Sequence, residues 1–94
     1  MAKFVIKKDR TREPFDAEKI KASIAAAASG TDLSGERKNE VVERVSGAAI
    51  QLAEEKEEIA TTEIREKILS ELDVLEPSIS ENWRKYEQEK RRAG

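Results

Sequence analysis

The chain has no cysteine and no histidine. Without thiols no disulfide can staple the fold, and without Cys or His a metal site built on thiolate or imidazole ligands is excluded. The same absences remove serine–histidine and cysteine–histidine nucleophilic catalysis. Aromatic residues are scarce: one Trp, one Tyr and two Phe in 94 residues. The core must therefore be built from Ile, Leu and Val, with twelve alanines letting helices approach closely. Nowhere does the chain approach the roughly 20 apolar residues that cross a bilayer. Its start, Met1-Ala2-Lys3-Phe4-Val5-Ile6-Lys7-Lys8, has too short an apolar run for a signal peptide. The expectation is a soluble, cytoplasmic chain with no membrane partner. An excess of positive charge is also missing, since 18 Lys and Arg face 20 Asp and Glu for a net charge of −2. That balance argues against a broad nucleic-acid face, which needs surplus cations to displace counterions.

What is present is charge of both signs, 40% of all residues, and short apolar stripes. A chain of this length makes one domain, 1–94, and buries only about two-thirds of its unfolded surface. Phe4 to Lys8 reads as a strand, β-branched at Val5 and Ile6. Asp9 suits the turn that follows, whereas Arg10 stands where a primed turn favours glycine. Arg12 to Phe15 reads as a second short strand, and Pro14 confines it to an edge or ends it there. Asp16 is placed as the N-cap of a helix from Ala17 to about Ala28 with Ile20 and Ile24 inward. Gly30 is placed as its C′ residue. A second helix runs from Glu36 to about Glu54, with Ser34 as a possible cap. Its inward stripe is Val41, Val45, Ala48 and Leu52, flanked by Val42 and Ala49.

The run Glu54-Glu55-Lys56-Glu57-Glu58 reads as a solvated helix end, and it lacks the alternating ligand spacing of a calcium loop. Glu58 to Ala60 is a third short strand, after which Thr61 or Thr62 caps a helix with Ile64, Ile68 and Leu72 inward. Pro77 ends that helix, and Ser78 with Glu81 makes a capping box for a fourth. Ile79, Trp83 and Tyr86 share one face of it. The core spans about 3–90, and 91–94 is a frayed tail. The fold class is α+β, mostly helical: a four-helix bundle capped by a small three-stranded sheet. There is no internal repeat and no low-complexity linker.

The first twenty residues concentrate the candidate chemistry. Lys7 and Lys8 end the first strand on opposite faces, Glu13 lies on the second, and Asp16 and Lys19 open the first helix. A nucleotide needs cations for its phosphates and an acceptor for an adenine amino group. A hairpin folded onto a helix N-terminus brings both together, and the helix start adds its own free N–H groups. The plain alternative is that Asp16 only caps the helix and the lysines are solvated surface. Composition and periodicity alone favour that alternative.

The run Phe4-Val5-Ile6-Lys7-Lys8-Asp9, then Glu13-Pro14-Phe15-Asp16, then Glu18-Lys19-Ile20, resembles the opening signature of the ATP-cone family. Val5, Lys7, Asp9, Glu13, Phe15, Asp16, Lys19 and Ile20 match without a gap, and Lys8 replaces arginine. Ile59-Ala60-Thr61-Thr62-Glu63-Ile64 is similar to the family's second block. The resemblance implies a domain that binds ATP or dATP as a ligand, with or without Mg2+, and switches association state. It implies that Val5 and Ile20 pack near the base or ribose and that Glu13 and Asp16 read the adenine edge. Lys7, Lys8 and Lys19 would hold phosphates or ribose, while Thr61 and Arg65 close the phosphate side. Partners implied are a ribonucleotide reductase or another protein, or a second copy in a homo-oligomer.

Three departures stand out. Arg10 replaces the turn glycine, and Arg65 stands where the family often has histidine. In the last helix Tyr86 and Lys90 offer an aromatic–lysine pair, although Trp83 and Tyr86 read more simply as core. The sequence holds no zinc ribbon and no catalytic barrel, so a stand-alone sensor acting through association is the leading expectation. A degenerate cone serving as a ligand-free interaction module is the second. A nucleic-acid binder using Lys7, Lys8, Arg10, Arg12 and Lys90-Arg91-Arg92 is the third. An enzyme is the last, for want of a metal or nucleophile cluster.

Overall fold

The computed structural model describes residues 3–93, with side chains described from 3 to 89. Three strands, β1 (Phe4–Ile6), β2 (Arg12–Pro14) and β3 (Glu58–Ala60), form one sheet in the order β2-β1-β3. β1 pairs antiparallel with β2, setting Val5 opposite Glu13, and parallel with β3, setting Val5 opposite Ile59. A parallel neighbour requires a long crossover. Here the crossover is two helices, α1 (Ala17–Ser29) and α2 (Gly35–Glu54). Pro14 sits on an edge strand, as its missing N–H demands.

α3 (Thr61–Leu75) and α4 (Pro77–Ala93) complete the bundle, in which α1 packs on α2, α2 on α3, α3 on α4 and α4 on α1. Ile24, Val41, Val45, Ile59, Leu72 and Ile79 are fully buried at its centre. Alanine at 27, 28, 49 and 53 fills the closest approaches. The buried stripe of α2 is Val41, Val42, Val45, Ser46, Ala49 and Ala53, so Ala48 and Leu52 lie at its margin rather than at its middle. Leu52 still packs against the core from that edge.

Local signals work at two helix starts and fail at two others. Asp16 Oδ1 accepts from Glu18 N at 3.0 Å and Lys19 N at 3.4 Å, and Ser34 Oγ accepts from Arg37 N at 3.1 Å. α3, however, starts directly from β3, with Ala60 at its N-cap and no capping side chain, so neither Thr61 nor Thr62 caps it. α4 begins at Pro77, which fits the first helical position because its missing N–H would be unpaired anyway. Ser78 and Glu81 therefore lie inside the helix, and the expected capping box is not formed. Gly30 has φ −84°, not the left-handed value expected of a C′ glycine. Its requirement is space: a Cβ there would run into Asn82 Nδ2, which donates to Ala27 O at 2.7 Å and ties α4 to α1.

The hairpin connection is one residue longer than a two-residue turn. Lys7 N donates to Thr11 O at 2.9 Å and Arg10 N to Lys7 O at 2.9 Å, leaving Lys8, Asp9 and Arg10 as the connection. Arg10 takes φ 70°, the left-handed position that a three-residue connection normally gives to glycine. Asp9 Oδ1 accepts from Thr11 N at 3.0 Å and from the Thr11 hydroxyl, so it does serve the turn. The helical backbone of α4 is continuous to Ala93, into the 91–94 tail that was expected to fray. The side chains of Lys90, Arg91 and Arg92 lie outside those described.

Candidate functional site

A cleft of about 400 Å3 opens where the hairpin folds onto the bundle. That volume falls in the range of roughly 300–1,000 Å3 typical of small-molecule sites. The hairpin contributes Val5, Glu13 and Pro14 with Lys7, which lies just past the end of β1 rather than in it, and the start of α1 contributes Asp16, Lys19, Ile20 and Ser23. α3 lines the opposite wall with Thr61, Ile64, Arg65 and Ile68, and α4 adds Trp83. Strand alternation puts Val5 and Lys7 on one face, and the register sets Glu13 across from Val5. The floor is apolar, from Val5, Phe15, Ile20, Ile64, Ile68 and Trp83, while the cations sit at the rim.

The rim charges are already paired within the chain. Lys7 Nζ lies 2.8 Å from Glu13 Oε1, and Lys19 Nζ lies 3.9 Å from Glu13 Oε2. The hydrogen bond to Glu13 raises the Lys7 pKa, and its reciprocal with Lys7 holds the Glu13 carboxyl below its ordinary range. Arg65 is gripped at two points by Glu87 of α4, Nε to Oε2 at 2.6 Å and Nη2 to Oε1 at 2.8 Å. That pairing raises the guanidinium pKa further. α3 presents its uncapped first turn at Thr61 to the same cleft, a helix start with N–H groups and a positive dipole end.

The structure thus brings together Val5, Lys7, Glu13, Asp16, Lys19, Ile20, Thr61 and Arg65 in one cleft. Lys8 is the exception. It lines a neighbouring cleft of about 600 Å3 that shares Lys7, Thr61, Arg65 and Trp83 with the first. Glu13 pairs with two of the three lysines expected to meet phosphate, Lys7 and Lys19, and Asp16 serves as the N-cap of α1 while lining the cleft. Trp83 and Tyr86 do not behave as one core pair. Trp83 is half-buried and forms a cleft wall, whereas Tyr86 is 48% exposed.

Sequence reading missed Glu87, the partner of Arg65. Its only sequence signal is the spacing Trp83–Glu87, which puts both on one face of α4. Ile64 and Ile68 were read as core, and they are buried, but they also floor the cleft. Among the described residues no cluster of acidic side chains suits a metal ion. No helix among them is long and apolar enough to cross a membrane.

The small helical bundle carries a sheet-capped, cation-rimmed and apolar-floored cleft of the size that takes a small molecule. The family model for the ATP cone domain matches residues 3–89, and the chain belongs to the ATP-cone family. The chain is also 39% identical over 72 residues to a transcriptional repressor, NrdR, of Rhodopirellula baltica (strain DSM 10527 / NCIMB 13988 / SH1). The match covers 77% of this chain and 45% of that protein, so the chain spans less than half the length of this curated relative. ATP-cone domains in general bind ATP or dATP. Similarity to a transcriptional repressor leaves the expectation that nucleic acid is an unlikely partner without support, because net charge alone does not decide that question.

Proposed function

We propose that this chain binds ATP or dATP in the cleft between hairpin, α1 and α3, performs no chemistry on it, and reports occupancy through protein association. The supporting observation is convergence: eight side chains from the hairpin, the start of α1 and the start of α3 line one cleft whose apolar floor suits a purine and whose rim suits phosphates. Val5 and Ile20 take the base or ribose side. The adenine amino group needs an acceptor, and Asp16 uses Oδ1 for both cap bonds, so its second oxygen retains acceptor capacity. Glu13 is the other candidate acceptor, and it would exchange a lysine for the adenine. Lys7, Lys8, Lys19 and Arg65, with the start of α3, hold the phosphates. Mg2+ would travel on the triphosphate, its usual ligand, rather than in a protein cage. Readout would go to a ribonucleotide reductase, to another protein or to a second copy of the chain.

One observation favours a second reading. Lys7, Glu13, Lys19 and Arg65 all have partners inside the chain, so the cleft is electrostatically satisfied as it stands. A cone retained only as an interaction module would look like this. Thermal melts with ATP, dATP and GTP separate the two, since any ligand of the native state must raise its stability. A hundredfold excess over Kd adds about 2.7 kcal/mol. The expected result is a rise in midpoint with ATP or dATP that GTP does not match. An unchanged midpoint at millimolar ATP and dATP would favour the interaction module.

A further inference from the structure

Arg65 is the cleft cation that the protein itself holds most firmly. Lys7 and Lys19 each meet a single oxygen of Glu13, whereas Arg65 gives two parallel N–H groups to the two oxygens of Glu87. The guanidinium fork fits a carboxylate and a terminal phosphate in the same way, through two oxygens at similar spacing. Glu87 is on α4, Arg65 is on the second turn of α3, and both line the larger cleft beside Lys8. The carboxylate therefore occupies the position on Arg65 that a phosphate would need.

We propose that Glu87 is an internal competitor for Arg65, so that a phosphate-bearing ligand must displace it and in doing so loosens the tie between α3 and α4. The proposal rests on the nucleotide reading of the cleft and adds its route of regulation. Trp83, one turn before Glu87, supports it from the same face. Its indole Nε1 is buried without an acceptor among the described residues, and its ring borders both clefts that Arg65 lines. A buried donor with no partner is a cost of the present arrangement, which a rearranged α4 face can relieve. The stretch of α4 from Trp83 to Glu87 is thus the part of the wall whose packing depends on what Arg65 holds.

Calorimetric titration of the full chain with ATP and with adenosine tests this in the wild type, Glu87→Gln, Arg65→Ala and the double variant. Gln keeps the size of Glu and removes its charge. The expected result is ATP binding about tenfold tighter in Glu87→Gln, with adenosine affinity unchanged. Arg65→Ala should weaken ATP binding, and the double variant should show none of the gain. A Glu87→Gln chain that binds ATP no better than the wild type, or that gains equally for adenosine, overturns the proposal while leaving the nucleotide reading intact. A wild type that binds no ATP overturns both. If Glu87→Gln fails to fold, Glu87→Asp replaces it: its shorter reach breaks the two-point grip, and a smaller gain for ATP alone is expected. The absence of any gain there counts against the proposal in the same way.

Discussion

Arg10 sits at φ 70° in a position where most hairpins of this kind place glycine. A left-handed conformation costs a non-glycine residue about 1–2 kcal/mol. Replacing it with glycine removes that strain but adds unfolded-state entropy worth about 0.4–1 kcal/mol. Arg10→Gly should therefore stabilise the domain by roughly 0.5–1 kcal/mol, read as a rise of a few degrees in thermal midpoint. A midpoint that falls would show that the arginine side chain makes a contact outweighing its backbone cost. Arg10 was legible as a departure from the glycine that a tight turn prefers. Its conformation was not legible, because a two-residue and a three-residue connection look alike until the register is known. Glu13 gives a similar lesson. Its position on the cleft was expected from the family resemblance, but its bridging of Lys7 and Lys19 depends on where α1 starts in space.

At the scale of elements, the ion pairs Arg65–Glu87 and Arg84–Asp73 join α3 to α4. Arg84 donates to both oxygens of Asp73 at 3.2 and 3.0 Å, and the buried Ser80 hydroxyl donates to Asp73 Oδ1 at 2.5 Å. These bonds hold the Asp73 carboxyl below its ordinary value, with Arg84 the larger cause. Because the folded value is depressed, the stabilisation is complete above the unfolded value of about 4 and is lost as pH falls through the folded one. Asp9 and Glu13 are shifted the same way, by Thr11 and Lys7 respectively. The thermal midpoint should thus be level down to about pH 5 and drop below it. Asp73→Asn should make that drop shallower. An equally steep acid limb in the variant would show that other carboxylates govern it. Helix existence and the inward stripes of α1 and α3 were readable from spacing, and the capping of α1 and α2 from Asp16 and Ser34. The starts of α3 and α4 were not, because β3 feeds α3 directly and Pro77 takes the position that the capping box would have used. Gly30 was found for the wrong reason: its close approach to Asn82 is a contact between α1 and α4 that no local pattern announces.

For the whole molecule, a chain with few aromatics builds its core from Ile24, Val41, Val45, Ile59, Leu72 and Ile79 and lets alanine-rich faces of α1 and α2 close together. The bundle and its sheet were legible as a class because each stripe was too wide to leave exposed. The hairpin and α1 side of the cleft was suggested by one short run and preferred over plain surface only through the family resemblance, which also added Thr61 and Arg65. Trp83 and Glu87 were not, since α4 reaches the cleft only through tertiary packing. The central claim is that an adenine nucleotide enters the cleft between hairpin, α1 and α3. Following backbone amide resonances of isotope-labelled protein during an ATP titration tests both binding and place. The account predicts saturable shifts centred on Val5, Lys7, Ile20, Thr61 and Arg65. No shifts at millimolar ATP, or shifts gathered instead around Gly30 to Leu33 and Lys85 at the other end of α1, would contradict it.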